Sequence, residues 1–119
     1  MRTFWALAIK FVMTLLAAAI AGFASGMTSA GVIFLTAAVG TVVNYIMGDL
    51  FILPAAGNAV ASIADGGVAA VLAYIVAIQS RVFITDAFVF ALVFGLLVAI
   101  GEYFFHKYLA KEKHVAPNP

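Results

Sequence analysis

The sequence contains no cysteine and very little charge. Having no cysteine among 119 residues excludes disulfides, thiolate nucleophiles and thiolate-held metal or iron–sulfur centres. Asp, Glu, Lys and Arg together make up 9% of the chain, against about 25% in an average soluble domain. That is too few to cover a water-facing surface. Neither sign dominates: six Lys and Arg stand against five Asp and Glu, for a net charge of +1. No nucleic-acid or strongly acidic partner is therefore indicated. The His-Glu-x-x-His, Gly-x-Ser-x-Gly and P-loop patterns are absent, and Gly66-Gly67 is not a phosphate loop. With no nucleophile–base pair legible, an intramembrane enzyme ranks last among the functional classes. No cofactor is expected. His106 and His114 are too few and too peripheral to indicate a metal site, so none is assigned.

What is abundant is apolar. Hydrophobic residues are 66% of the chain and the mean hydropathy is +1.20. A helix crossing a hydrocarbon layer ~30 Å thick needs about 20 mostly apolar residues, and four such stretches fit: residues 4–23, 31–53, 59–79 and 82–105. The expected fold is an all-α integral membrane bundle of four antiparallel transmembrane helices within residues 1–106, followed by a polar cytoplasmic tail, 107–119. Short connections make sequence neighbours antiparallel. A cleaved leader is the competing reading of the first stretch, since Ala17, Ala19 and Ala21 resemble a cleavage site; Lys10 inside the apolar run argues against it. Pro54 reads as the stop of the second span. The third is interrupted at Asp65-Gly66-Gly67, and the sequence leaves open whether it is one helix or two. Arg2 and Lys10 at one end and Lys107, Lys111 and Lys113 at the other put both termini on the cytoplasmic side of a plasma membrane, with Arg81 as the one dissenting charge. Trp5, Tyr45, Tyr74, Tyr103 and Tyr108 are available as interfacial anchors. Phe90, Phe94, Phe104 and Phe105 are expected to face lipid, with a dimer surface as the alternative.

The residues that cost energy in a bilayer carry the functional information. An ionisable group at a helix centre costs about 2.5–3.5 kcal/mol on insertion scales, so each needs a partner, water or a task. At ~1.5 Å per residue, Lys10 lies ~9 Å into the first span, Asp49 ~7 Å before Pro54, Asp65 ~10 Å into the third span and Glu102 ~7 Å before Lys107. All four spans thus place one charge in the same layer of the cytoplasmic half. Lys10, Asn44, Asp49, Asp65 and Glu102 form the candidate polar or ion site, supported by Thr14, Asn58 and Ser62. Small and polar residues share faces with them: Thr3, Ala17 and Ala21 on the first span, and Gly40, Thr41 and Gly48 on the second. Ala69 does so on the third, and Ala91, Gly95, Ala99 and His106 on the fourth. Such stripes mark helix contacts in membranes. Two readings stand. Lys10, Asp49 and Glu102 reach headgroups or pin the packing, or the layer binds an ion, proton or small solute, with Asp65 beside a glycine pair as its centre.

The run from Asn44 to Pro54, Asn-Tyr-Ile-Met-Gly-Asp-Leu-Phe-Ile-Leu-Pro, followed by Gly57-Asn58 and Ile63-Ala64-Asp65, resembles the central signature of the YndM-like family. The opening Ile9-Lys10-Phe11-Val12-Met13-Thr14 is similar to it too. The resemblance implies a four-span bacterial inner-membrane protein of unknown function from spore-forming Gram-positive bacteria, and no activity. Its motif residues include Lys10, Asp49, Pro54, Asn58 and Asp65; Glu102 rests on spacing alone. Membrane lipids are the expected partners, with a homodimer or larger oligomer to enlarge the narrow interior.

Overall fold

A computed structural model describes residues 2–111. Four stretches of helix are long and apolar enough to cross a membrane: Phe4–Ser25, Ala30–Ile52, Asn58–Gln79 and Ile84–Tyr108. They belong to α1 (Arg2–Ser25), α2 (Ala30–Val43) continued by a π-helix (Asn44–Ile52), α4 (Asn58–Gln79) and α5 (Ile84–Lys111), with a short α3 (Leu53–Ala56) after the π-helix. There are no strands among the described residues. The bundle is 42 Å long, close to the ~40–45 Å of a bilayer with its headgroup regions. Large apolar side chains cover its outside: Phe23, Phe34, Ile63, Phe83 and Leu96 are all exposed. In water such a surface would aggregate; in hydrocarbon it is the ordinary exterior.

The interior is built from small residues. Ala69, Ala73 and Ala77 of α4 and Ala87, Ala91 and Gly95 of α5 are buried. A Cβ on Gly66 would come within 2.7 Å of the Gly95 carbonyl, and one on Gly95 within 2.7 Å of the Gly66 carbonyl. The two backbones therefore touch where both residues lack a side chain, the small-residue packing that replaces hydrophobic force in lipid. Elsewhere Phe90 and Phe94 fill the centre, both fully buried, their rings stacked 6.1 Å apart.

Several expectations are corrected. Phe90, Phe94 and Phe105 are core, and only Phe104 of that group faces outward, 63% exposed: their i, i+4 spacing places Phe90 and Phe94 on the face that α5 buries. Tyr45 is buried too. The second apolar span ends at Ile52, two residues before Pro54, as expected, while helical winding continues through α3 to Ala56. The chain turns at Gly57, whose φ of 87° suits a residue without Cβ. The interruption expected at Gly66-Gly67 does not occur, and α4 is continuous. Helix α5 runs on through Lys111, and the remaining tail, 112–119 with Lys113 and His114, lies outside the described residues. Side chains of Arg2, Thr3 and Pro54 are likewise not described.

The second span has a feature with no sequence signal. From Asn44 the chain winds as a π-helix, and the Leu53 N–H donates to the Gly48 carbonyl five residues back. Asn44, Tyr45, Gly48 and Asp49 are buried, whereas Ile46, Met47, Leu50 and Phe51 are exposed. π-turns are rare and gather at functional positions.

Candidate functional site

Each of the four spans sends an ionisable group into one buried layer. Lys10 (α1), Asp49 (π-helix), Asp65 (α4) and Glu102 and His106 (α5) are all 0–2% exposed. Lys10 Nζ donates to Glu102 Oε1 at 2.5 Å and lies 3.1 Å from Asp49 Oδ2. The Phe105 ring, centred 4.8 Å from the same ammonium, adds a cation–π contact. No charge reaches toward headgroups here: the snorkelling expected of Lys10, Asp49 and Glu102 is replaced by mutual pairing in the interior.

His106 is the member that sequence spacing left at the periphery. It stands one helical turn after Glu102, on the same face, and enters the layer because α5 continues past the expected end of the span. That i, i+4 relation to Glu102 was the available signal. Its Nε2 lies 3.0 Å from Asp49 Oδ1, 3.3 Å from Asp65 Oδ2 and 3.4 Å from Glu102 Oε1. Three carboxylates from three elements thus converge on one ring nitrogen. The other nitrogen, Nδ1, is 2.8 Å from Asn58 Oδ1 and 3.3 Å from Ser62 Oγ. Asn58 Nδ2 donates to the Tyr103 carbonyl at 3.0 Å, and Ser62 Oγ donates to Asn58 Oδ1 at 3.0 Å. The amide oxygen of Asn58 therefore faces the ring as an acceptor, and Nδ1 carries the hydrogen.

The remaining candidates take different places. Thr14 Oγ1 donates to the Lys10 carbonyl at 2.6 Å, satisfying its hydroxyl locally without touching the ionised groups. Asn44 is buried, and neither of its amide atoms has a hydrogen-bond partner among the described residues; no hydrogen bond joins it to the cluster. Asp49 Oδ2, Asp65 Oδ2 and Glu102 Oε2 are likewise buried without a hydrogen bond, Asp49 Oδ2 having only the Lys10 ion pair. Gly48 makes the room for Asp65, since a Cβ there would collide with the Asp65 carboxylate.

Three carboxylates and one ammonium sum to a charge of −2 when the imidazole is neutral. In a low-dielectric interior an uncompensated charge is costly, so the layer is suited to holding a further cation.

The comparisons with known proteins agree on the membrane and are silent on activity. The uncharacterized membrane protein YndM of Bacillus subtilis (strain 168) is 35% identical over 69 residues, which cover 58% of this chain and 38% of that protein. The match therefore spans well under half of the relative's length. No solved structure matches the chain. The family described as "Protein of unknown function (DUF2512)" matches residues 1–118, nearly the whole sequence, and this four-span membrane protein belongs to it.

Proposed function

We propose that this protein binds a small cation in the layer formed by Lys10, Asp49, Asp65, Glu102 and His106 and takes part in moving it across the membrane. The observation that carries the reading is the excess of buried acid. Three carboxylates share the layer with one lysine, and each has a buried oxygen without a hydrogen bond, Asp49 Oδ2 having only the Lys10 ion pair and Asp65 Oδ2 only the approach of His106 Nε2. A bilayer interior selects against such groups unless they are paired or serve a function, and here the acids outnumber the lysine. Asp65, set in the space left by Gly48, is the central ligand. Lys10 limits the negative charge, so that the site releases what it binds. Both termini lie on the cytoplasmic side, as the lysine bias indicates, which puts the layer in the inner half of the membrane. Four helices packed on alanine and glycine leave a narrow interior, so a conducting path calls for two or more copies. No catalytic chemistry is part of this reading.

Purified protein in proteoliposomes tests it, with cation gradients imposed and flux followed by entrapped indicators. Wild type is expected to carry flux. Asp65→Asn is expected to abolish it while helix content and elution volume stay unchanged.

A second reading has its own observation: the charged side chains are almost completely shut off from the surface. On that reading they pin four helices in register and nothing moves. Flux absent in wild type, together with Asp65→Asn that merely destabilises the bundle, would favour it.

A further inference from the structure

We infer that the cation this layer is built for is a divalent first-row transition metal of the Mn2+, Fe2+ and Zn2+ class, ligated by Nε2 of His106 and carboxylate oxygens of Asp49, Asp65 and Glu102. The inference rests on the cation-site reading above and names its ligand.

The geometry around His106 points there. Asn58 Oδ1 accepts from Nδ1, so Nε2 is the nitrogen turned toward the three carboxylates, where a metal ion would take the place of the Nε2 proton. Four electron-rich donors aimed at one point are stable only with positive charge between them. Metal-bound histidines are oriented in this way, with one nitrogen on the ion and the other donating to a fixed acceptor. The spacing agrees. The nitrogen stands 3.0, 3.3 and 3.4 Å from the three oxygens. Bonds of ~2.1 Å set neighbouring ligands about 3.0 Å apart in an octahedral site and about 3.4 Å in a tetrahedral one. All four donor atoms lie within 4.8 Å of one another.

Two observations independent of the acidic character support an ion. Asp65 Oδ2 and Glu102 Oε2 are buried in the layer with no hydrogen-bond partner, leaving lone pairs free for coordination. The absent Cβ of Gly48 is what admits the Asp65 carboxylate. Charge then selects the valence: the cluster carries −2 with a neutral ring, and a doubly charged ion balances it. Donor chemistry selects the metal. One imidazole with carboxylates suits manganese, iron and zinc. Calcium and magnesium prefer all-oxygen shells, and copper(I) needs sulfur.

The test uses full-length protein in detergent, without a polyhistidine tag, stripped by chelator and dialysed against Zn2+ or Mn2+. Elemental analysis is expected to show metal bound stoichiometrically with the chain and not displaced by excess Mg2+. Co2+ is expected to give d–d absorption bands in wild type, a readout that depends on no variant. Asn58→Ala, which removes the acceptor that orients the ring together with the bonds to Tyr103 and Ser62 but no proposed ligand, should weaken binding about 10- to 100-fold with helix content retained. His106→Gln should weaken it further. Failure of folded wild type to take up either metal overturns the inference, and so does binding unaltered in both variants. Cation flux of H+ or Na+ without divalent uptake would refute the metal assignment and leave the cation reading standing. Loss of both would remove both.

Discussion

Replacing Lys10 by methionine isolates what the buried charges are worth. Methionine keeps the length and most of the volume of the side chain, so the change is chiefly electrostatic. Lys10 sits 2.5 Å from a Glu102 oxygen and 3.1 Å from an Asp49 oxygen. At an effective dielectric near 20, the second pair alone has a gross attraction of about 5 kcal/mol. Most of this is offset by the several kcal/mol needed to remove each ion from water. Deleting one partner, however, leaves the carboxylates buried and uncompensated, and the cluster passes from −2 to −3. A cost of about 3–5 kcal/mol is expected, the range for breaking a buried pair. The double variant Lys10→Met with Glu102→Met removes charge in balance and should cost about 1–3 kcal/mol less than the two singles added together. Reversible unfolding in mixed micelles by SDS, followed by circular dichroism with chelator present, measures both. A single-variant cost below about 1 kcal/mol, or strict additivity in the double variant, would refute the picture of one coupled charged layer.

Two further outcomes follow from packing. Gly48→Ala drives a Cβ into the Asp65 carboxylate and should cost about 1–3 kcal/mol by overpacking in the same unfolding assay; a neutral result would show that Gly48 is not the cradle of Asp65. Phe94→Ala empties a fully buried position and should cost about 3–5 kcal/mol, whereas Phe104→Ala, on the outward face, should stay within about 0.5 kcal/mol.

Hydropathy made the four spans legible because the residues facing lipid are apolar, and the apolar runs have the length the bilayer demands. The charged layer was legible for the opposite reason. Lys10, Asp49, Asp65 and Glu102 are costly where they stand, and counting rise per residue placed them at one depth. What periodicity could not show was which face of α5 turns inward. Phenylalanine is equally at home against lipid and in a core, so Phe90 and Phe94 gave no direction. His106 was undervalued because the last span was ended at residue 105, one position short of it, although a helix stops where its hydrogen bonds end. The π-helix left no mark in composition at all; it depends on how Asn44 and Asp49 must both be accommodated.

That winding carries its own consequence. In an α-helix, residues five apart stand about 140° from each other at ~100° per residue, whereas the wider winding of a π-helix, with its i→i+5 bonds, brings them closer to one face. Asn44 and Asp49 are five apart and both buried. Were this stretch to rewind as ordinary α-helix, Asn44 and Asp49 would lie at opposite margins of the buried face, nearer the acyl chains. The π winding therefore draws both polar side chains further from hydrocarbon and toward the interior. Ile46, Met47, Leu50 and Phe51 on its outer side are free to vary among apolar residues, while the phase of the chain between 44 and 49 is not free to slip.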